Sequence, residues 1–104
     1  MNKAVRVAGR SELLPGERKL IDVDGRAIAL FNVGGSLYAI DDICTHDGGP
    51  LAEGELIGCE IQCPRHGARF DVRTGKALCM PAIEPVASHP VEVRGEDVYV
   101  SVQD

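Results

Sequence analysis

Two short stretches carry side chains suited to binding metal: Cys44-Thr45-His46-Asp47-Gly48-Gly49-Pro50 and Cys63-Pro64-Arg65-His66-Gly67. The pattern is C-x-H, sixteen intervening residues, then C-x-x-H, so each stretch offers one thiolate and one imidazole. A cysteine-only [2Fe–2S] site would show four cysteines, and structural zinc more usually pairs C-x₂₋₄-C with H-x₃₋₅-H. Mixed boxes suit a [2Fe–2S] cluster in which two thiolates hold one iron and two imidazoles the other. Gly48, Gly49 and Gly67 would let backbone N–H groups approach the inorganic sulfides. A zinc module on the same four residues is the alternative. Zinc is colourless and redox-silent, whereas a cluster protein is brown and bleaches on dithionite.

The elements that must position these boxes read as strands. Lys19–Val23, Ala27–Val33 and Ser36–Asp41 are strand candidates separated by Asp24-Gly25 and Gly34-Gly35 turns. In the third, Leu37/Ala39 and Tyr38/Ile40 fall on opposite faces. Leu56–Cys63 reads as one alternating strand with Ile57, Cys59, Ile61 and Cys63 on one side. Arg69–Val72 and Lys76–Leu78 flank an Arg73-Thr74-Gly75 turn, and Val91–Arg94 and Val98–Val102 flank Gly95-Glu96-Asp97. No segment is a convincing amphipathic helix; Glu12–Leu20 is broken by Pro15-Gly16. Short strands with Gly-rich turns predict an antiparallel sandwich or barrel. Both candidate metal boxes fall where the strand pattern lapses.

The 104 residues suffice for one domain with a modest core, and aromatic residues are only 4% of the chain, with no Trp. Such a core gains from a metal staple. The formal charge of −5 argues against nucleic acid or an anionic membrane as partner, since both call for a basic patch. The longest apolar run, Ala27–Phe31, is far too short to span a bilayer. Met1-Asn2-Lys3-Ala4 leads into no apolar segment and there is no twin-arginine signal, so a cytoplasmic location is expected. In that reducing compartment four cysteines point to metal ligands or free thiols, not to disulfides.

The two boxes, their separation, and Ala39-Ile40-Asp41-Asp42, Cys63 to Asp71, Thr74-Gly75-Lys76 and Pro81 resemble the Rieske ferredoxins of aromatic-ring dioxygenase systems. The resemblance implies an all-β fold: a Rieske-type antiparallel β-sandwich, one domain over 1–104, with a small cluster-binding subdomain at about 42–86. It implies that Cys44 and Cys63 bind the buried iron and His46 and His66 the outer, near-surface iron. The implied role is a monomeric, soluble carrier of single electrons from a flavin-dependent ferredoxin reductase to a terminal non-haem iron oxygenase, catalysing no turnover itself. The small Rieske subunit of a larger reductase, such as nitrite reductase, is the other role of this kind.

Two neutral imidazoles leave the oxidised cluster with no net charge, where four thiolates would leave −2, so the electron is accepted more easily. Rieske centres span about −150 to +300 mV, against about −400 mV for plant-type ferredoxins. Respiratory Rieske proteins carry an extra cysteine in each box, joined as a disulfide, and Ser and Tyr hydroxyls against the cluster sulfurs. Here the matching residues are Gly49, Arg65, Ala68 and Phe70. The resemblance therefore implies a potential near the bottom of the Rieske range, falling further at alkaline pH as the imidazoles titrate.

Other reactive residues have plainer expected roles. Cys59 is expected as a buried structural thiol and Cys79 as a free one. His89, before Pro90, is expected at the surface or as a capping group. Asp41, Asp42, Glu53 and Glu55 are expected as solvated loop charges near the cluster end, where they would face a basic partner. Met80–Pro85 is either a proline-containing loop over the third side of the cluster or a plain connection.

Overall fold

A computed structural model describes residues 2–23, 25–43, 51–64, 67–79 and 84–103. Among the described residues eleven strands follow one another: β1 (Asn2–Gly9), β2 (Arg18–Val23), β3 (Arg26–Val33), β4 (Ser36–Asp41), β5 (Glu55–Ile57), β6 (Glu60–Gln62), β7 (Arg69–Asp71), β8 (Ala77–Cys79), β9 (Ser88–His89), β10 (Val91–Arg94) and β11 (Asp97–Gln103). A single 3₁₀ turn, Arg10–Glu12, interrupts them, and the described residues contain no α-helix. The strands form three antiparallel sheets, ordered β1-β11-β10, β2-β3-β4-β9 and β5-β6-β7-β8. An antiparallel all-β architecture is therefore observed, as the strand pattern predicts.

The middle sheet explains the run Ala27–Phe31. Ile28 and Leu30 pack on one side with Ala8, Ile21, Val23, Ala39, Val98 and Val100. Ala29 and Phe31 pack on the other with Ile40, Leu51, Ile61, Cys63, Phe70 and Val86. A strand buried on both faces reads as a continuous apolar stretch instead of an alternating one. β4 divides in the same way: Leu37 and Ala39 join the first core, Tyr38 and Ile40 the second. The β1-β11-β10 sheet covers one face, and the separate β5–β8 sheet covers the other.

Two local readings need correction. Leu56–Cys63 is a hairpin, not one strand: Leu56 pairs with Ile61 and Ile57 with Glu60, around a Gly58-Cys59 turn. Gly58 has φ +62, a left-handed conformation that glycine adopts without cost, and this reverses the chain. Ile57 is consequently 42% exposed while Ile61 is fully buried. Cys59 is a half-buried turn residue, packed at the margin of the second core. The second correction is β1, which the alternation did not reveal. A register shift between Arg6 and Ala8 interrupts its period where it pairs with β11.

The turn joining β7 to β8 is tied by Asp71, which is nearly buried. Its Oδ1 accepts hydrogen bonds from the Arg73 backbone N–H and Nε at 2.9 and 3.1 Å, and its Oδ2 accepts from Nη2 at 2.9 Å. The Arg73 guanidinium holds the Asp71 carboxyl below the usual carboxylate range. A depressed folded value means the contribution is complete above the unfolded value, about 3.9, and is lost as pH falls through the folded one. Urea unfolding across this acid range should show a steeper loss of stability for the wild type than for Arg73→Ala.

Candidate metal centre

Cys63 is the candidate ligand that falls among the described residues; Cys44, His46 and His66 lie outside them. It follows β6 directly and is 1% exposed, walled by Leu51, Ile61, Ala68 and Phe70. The chain turns sharply after it. The Cys63 N–H donates to the Ala68 carbonyl at 2.6 Å, and the Gly67 N–H donates to the Cys63 carbonyl at 3.1 Å. Gly67 thus spends a hydrogen bond on closing the box, where the sequence suggested an inorganic sulfide as acceptor. Its φ of +76 is what permits that closure.

The chain on either side of the first box is pinned by Asp42. Its Oδ1 accepts from the backbone N–H groups of Leu51 at 2.8 Å and Ala52 at 2.6 Å. The Asp42 N–H in turn donates to the Ala27 carbonyl at 3.0 Å, and Arg18 Nε donates to the Ala52 carbonyl at 2.8 Å. Asp42 is therefore a loop anchor, not the solvated charge expected. Gly54 then passes so close to β6 that a Cβ there would lie 1.8 Å from the Gln62 carbonyl oxygen. The two loop arms meet in a cleft of about 270 Å³ lined by Glu53, Gly54, Glu55, Gln62, Cys63, Pro64 and Gly67. Glu53 and Glu55 are exposed, as expected.

Asp41 and His89 also depart from expectation. His89 is only 7% exposed, and its Nε2 lies 2.7 Å from Asp41 Oδ1. Pro90 suggested an open loop; instead His89 ends the short edge strand β9, where a following proline is tolerated. A larger cleft of about 710 Å³ is lined by Arg26, Tyr38, Arg73, Ser88 and His89 among others, and Cys63, the described candidate ligand, is not part of it. Cys79, at the end of β8, has no described side chain, and residues 80–83 of the possible third loop lie outside the described residues.

The donor chemistry at Cys63 fits an iron–sulfur group. The thiol forms no disulfide, and its surroundings are apolar. A thiolate is costly to bury unpaired, and coordination to iron would supply its compensation. The Rieske [2Fe-2S] domain model matches residues 3–90. The chain belongs to the Rieske [2Fe–2S] domain family. The naphthalene 1,2-dioxygenase system ferredoxin component of Pseudomonas putida is 38% identical over 100 residues, covering 96% of each chain. The ferredoxin of carbazole 1,9a-dioxygenase from Nocardioides aromaticivorans IC177 superposes with a TM-score of 0.91 at 39% identity, over 94% of this Rieske chain and 96% of that one. A complex of reduced oxygenase and oxidized ferredoxin in carbazole 1,9a-dioxygenase contains a chain matching at TM-score 0.90 and 36% identity, over 94% and 92%.

Proposed function

We propose that this Rieske protein is the ferredoxin of a multicomponent oxygenase system, taking single electrons from a flavin-dependent reductase and delivering them to a terminal non-haem iron oxygenase. The observation that carries this reading is Cys63, buried without a disulfide in the wall where the two loop arms meet, in a chain that dioxygenase ferredoxins match along nearly their whole length. Cys44 and Cys63 would hold the inner iron and His46 and His66 the outer one, within a cluster-binding part at about residues 42–86. When bound, the cluster accepts and releases one electron at a time. The chain itself fixes the inner side: β6 presents Cys63, the Gly67 hydrogen bond closes its box, and Asp42 holds the first loop at its exit.

The apolar wall also supports a low potential. Ala68 and Phe70 are fully buried around Cys63 and bring no hydroxyl to stabilise added negative charge. A cytoplasmic site of action accords with the free thiol of Cys59. No helix among the described residues is long and apolar enough to cross a membrane. The test is a dye-mediated redox titration of the purified holoprotein alongside iron and sulfide analysis. Two irons and two sulfides per chain, with a midpoint below about +100 mV inside the Rieske range, are expected. A colourless zinc protein would overturn the cluster, and a midpoint well above that value would overturn the low potential.

A further inference from the structure

Asp41 and His89 lie in neighbouring strands, 48 residues apart in sequence, and neither belongs to the candidate ligand set. His89 is paired with Ala39 in the β4–β9 ladder, so its ring reaches diagonally to the residue two places along β4. An ionised carboxylate only accepts, so Nε2 carries the hydrogen of this contact. The same point is held by backbone: the Asp41 N–H donates to the Ala87 carbonyl at 2.9 Å. Asp41 is the last residue of β4, three before Cys44, and Asp42 beside it holds the chain that returns from that box. Upstream of β9, the Val86 N–H donates to the Gly75 carbonyl at 2.8 Å, which ties this segment to the β7–β8 turn.

We propose that the Asp41–His89 pair positions the first ligand loop, fixing the end of β4 from which Cys44 departs and damping the field of a carboxylate at the loop's base. The inference rests on the cluster assignment above. The pair ties the outgoing strand of one loop to the segment that re-enters the middle sheet after β8. It therefore fixes where the chain leaves β4 toward Cys44, although neither residue is a candidate ligand. His89 and Asp41 are positioning residues, and the two act on the cluster through separable routes, one mechanical and one electrostatic.

The test compares holoproteins of the wild type, His89→Phe, His89→Gln and Asp41→Asn. Each is followed by iron release to a ferrous chelator, redox midpoint and thermal unfolding. Loss of a hydrogen bond to a charged group should speed iron release about tenfold in His89→Phe, and the weaker, neutral acceptor should speed it several-fold in Asp41→Asn. Their midpoints should move in opposite directions. His89→Phe leaves the carboxylate without its donor and disfavours the added electron, lowering the midpoint; Asp41→Asn removes the charge and raises it. His89→Gln, which keeps a donor, should return both readouts toward the wild type. Should His89→Phe not fold, the near-isosteric Asp41→Asn carries the same test. Wild-type release rates and midpoints in the variants, or midpoints shifting the same way, overturn the proposal. A wild-type protein without two irons per chain overturns the cluster assignment itself.

Discussion

Replacing Cys63 with serine should give a folded but colourless protein that carries no electrons. The side chain changes by one atom, so the apolar wall of Leu51, Ile61, Ala68 and Phe70 keeps its shape. What is lost is the soft, easily ionised donor. A serine hydroxyl remains protonated at neutral pH and does not replace a thiolate on ferric iron. It also brings a polar group into a site that is 1% exposed, at a cost of about 1–3 kcal/mol if its hydroxyl finds no partner. Visible absorption and low-temperature electron paramagnetic resonance of the reduced sample are the measurements. A brown Cys63→Ser protein with the wild-type spectrum would remove Cys63 from the ligand set.

Gly75→Ala should be nearly as damaging, by another route. Gly75 has φ +82, and a Cβ on it would lie 2.0 Å from the carbonyl oxygen of Val86. That neighbour is backbone, so relief requires two segments to part, and the hydrogen bond from the Val86 N–H to Gly75 parts with them. Left-handed backbone strain of about 1–2 kcal/mol adds to an overpacking cost of about 1–3 kcal/mol. A loss near 4 kcal/mol consumes much of the 5–15 kcal/mol typical of a domain. Val86 belongs to the same buried cluster as Cys63, so the opening reaches the metal site. Gly35→Ala is the control: its φ is +99 and open space surrounds it, leaving the strain of about 1–2 kcal/mol alone. Equal urea midpoints for the two variants would refute the clash.

The candidate metal boxes stand out in the sequence because ligand chemistry shows in residue type and spacing. Much of the framework was readable too, since β3 and β4 declare their faces through Ile28/Leu30 and Ala29/Phe31, and Leu37/Ala39 and Tyr38/Ile40. What escaped depends on relations between distant residues. The Gly58-Cys59 reversal preserves an apolar alternation that looks continuous when the strands on either side are only three residues long. Nothing local pairs Asp41 with His89; the β4–β9 register does, and Pro90 disguised the strand end. Asp42 looked like one more acidic loop residue because its partners are backbone N–H groups nine and ten positions away. The requirement for glycine at positions 54 and 75 likewise comes from carbonyl groups on other segments.

The pairing of β1 with β11, which sets Asn2 against Gln103, gives the molecule an order of completion during synthesis. The core around Cys63 is assembled from residues 29 to 86. The opposite core requires Val98 and Val100, so it stays open until β11 has left the ribosome. During that interval Ile28, Leu30 and Ala39 would present an uncovered apolar sheet face to solvent, with β1 an unpaired edge. Closing so long a loop is also the slow kind of contact. The metal-binding half can thus be shaped while the chain is still being made, but the sandwich that steadies it is finished last.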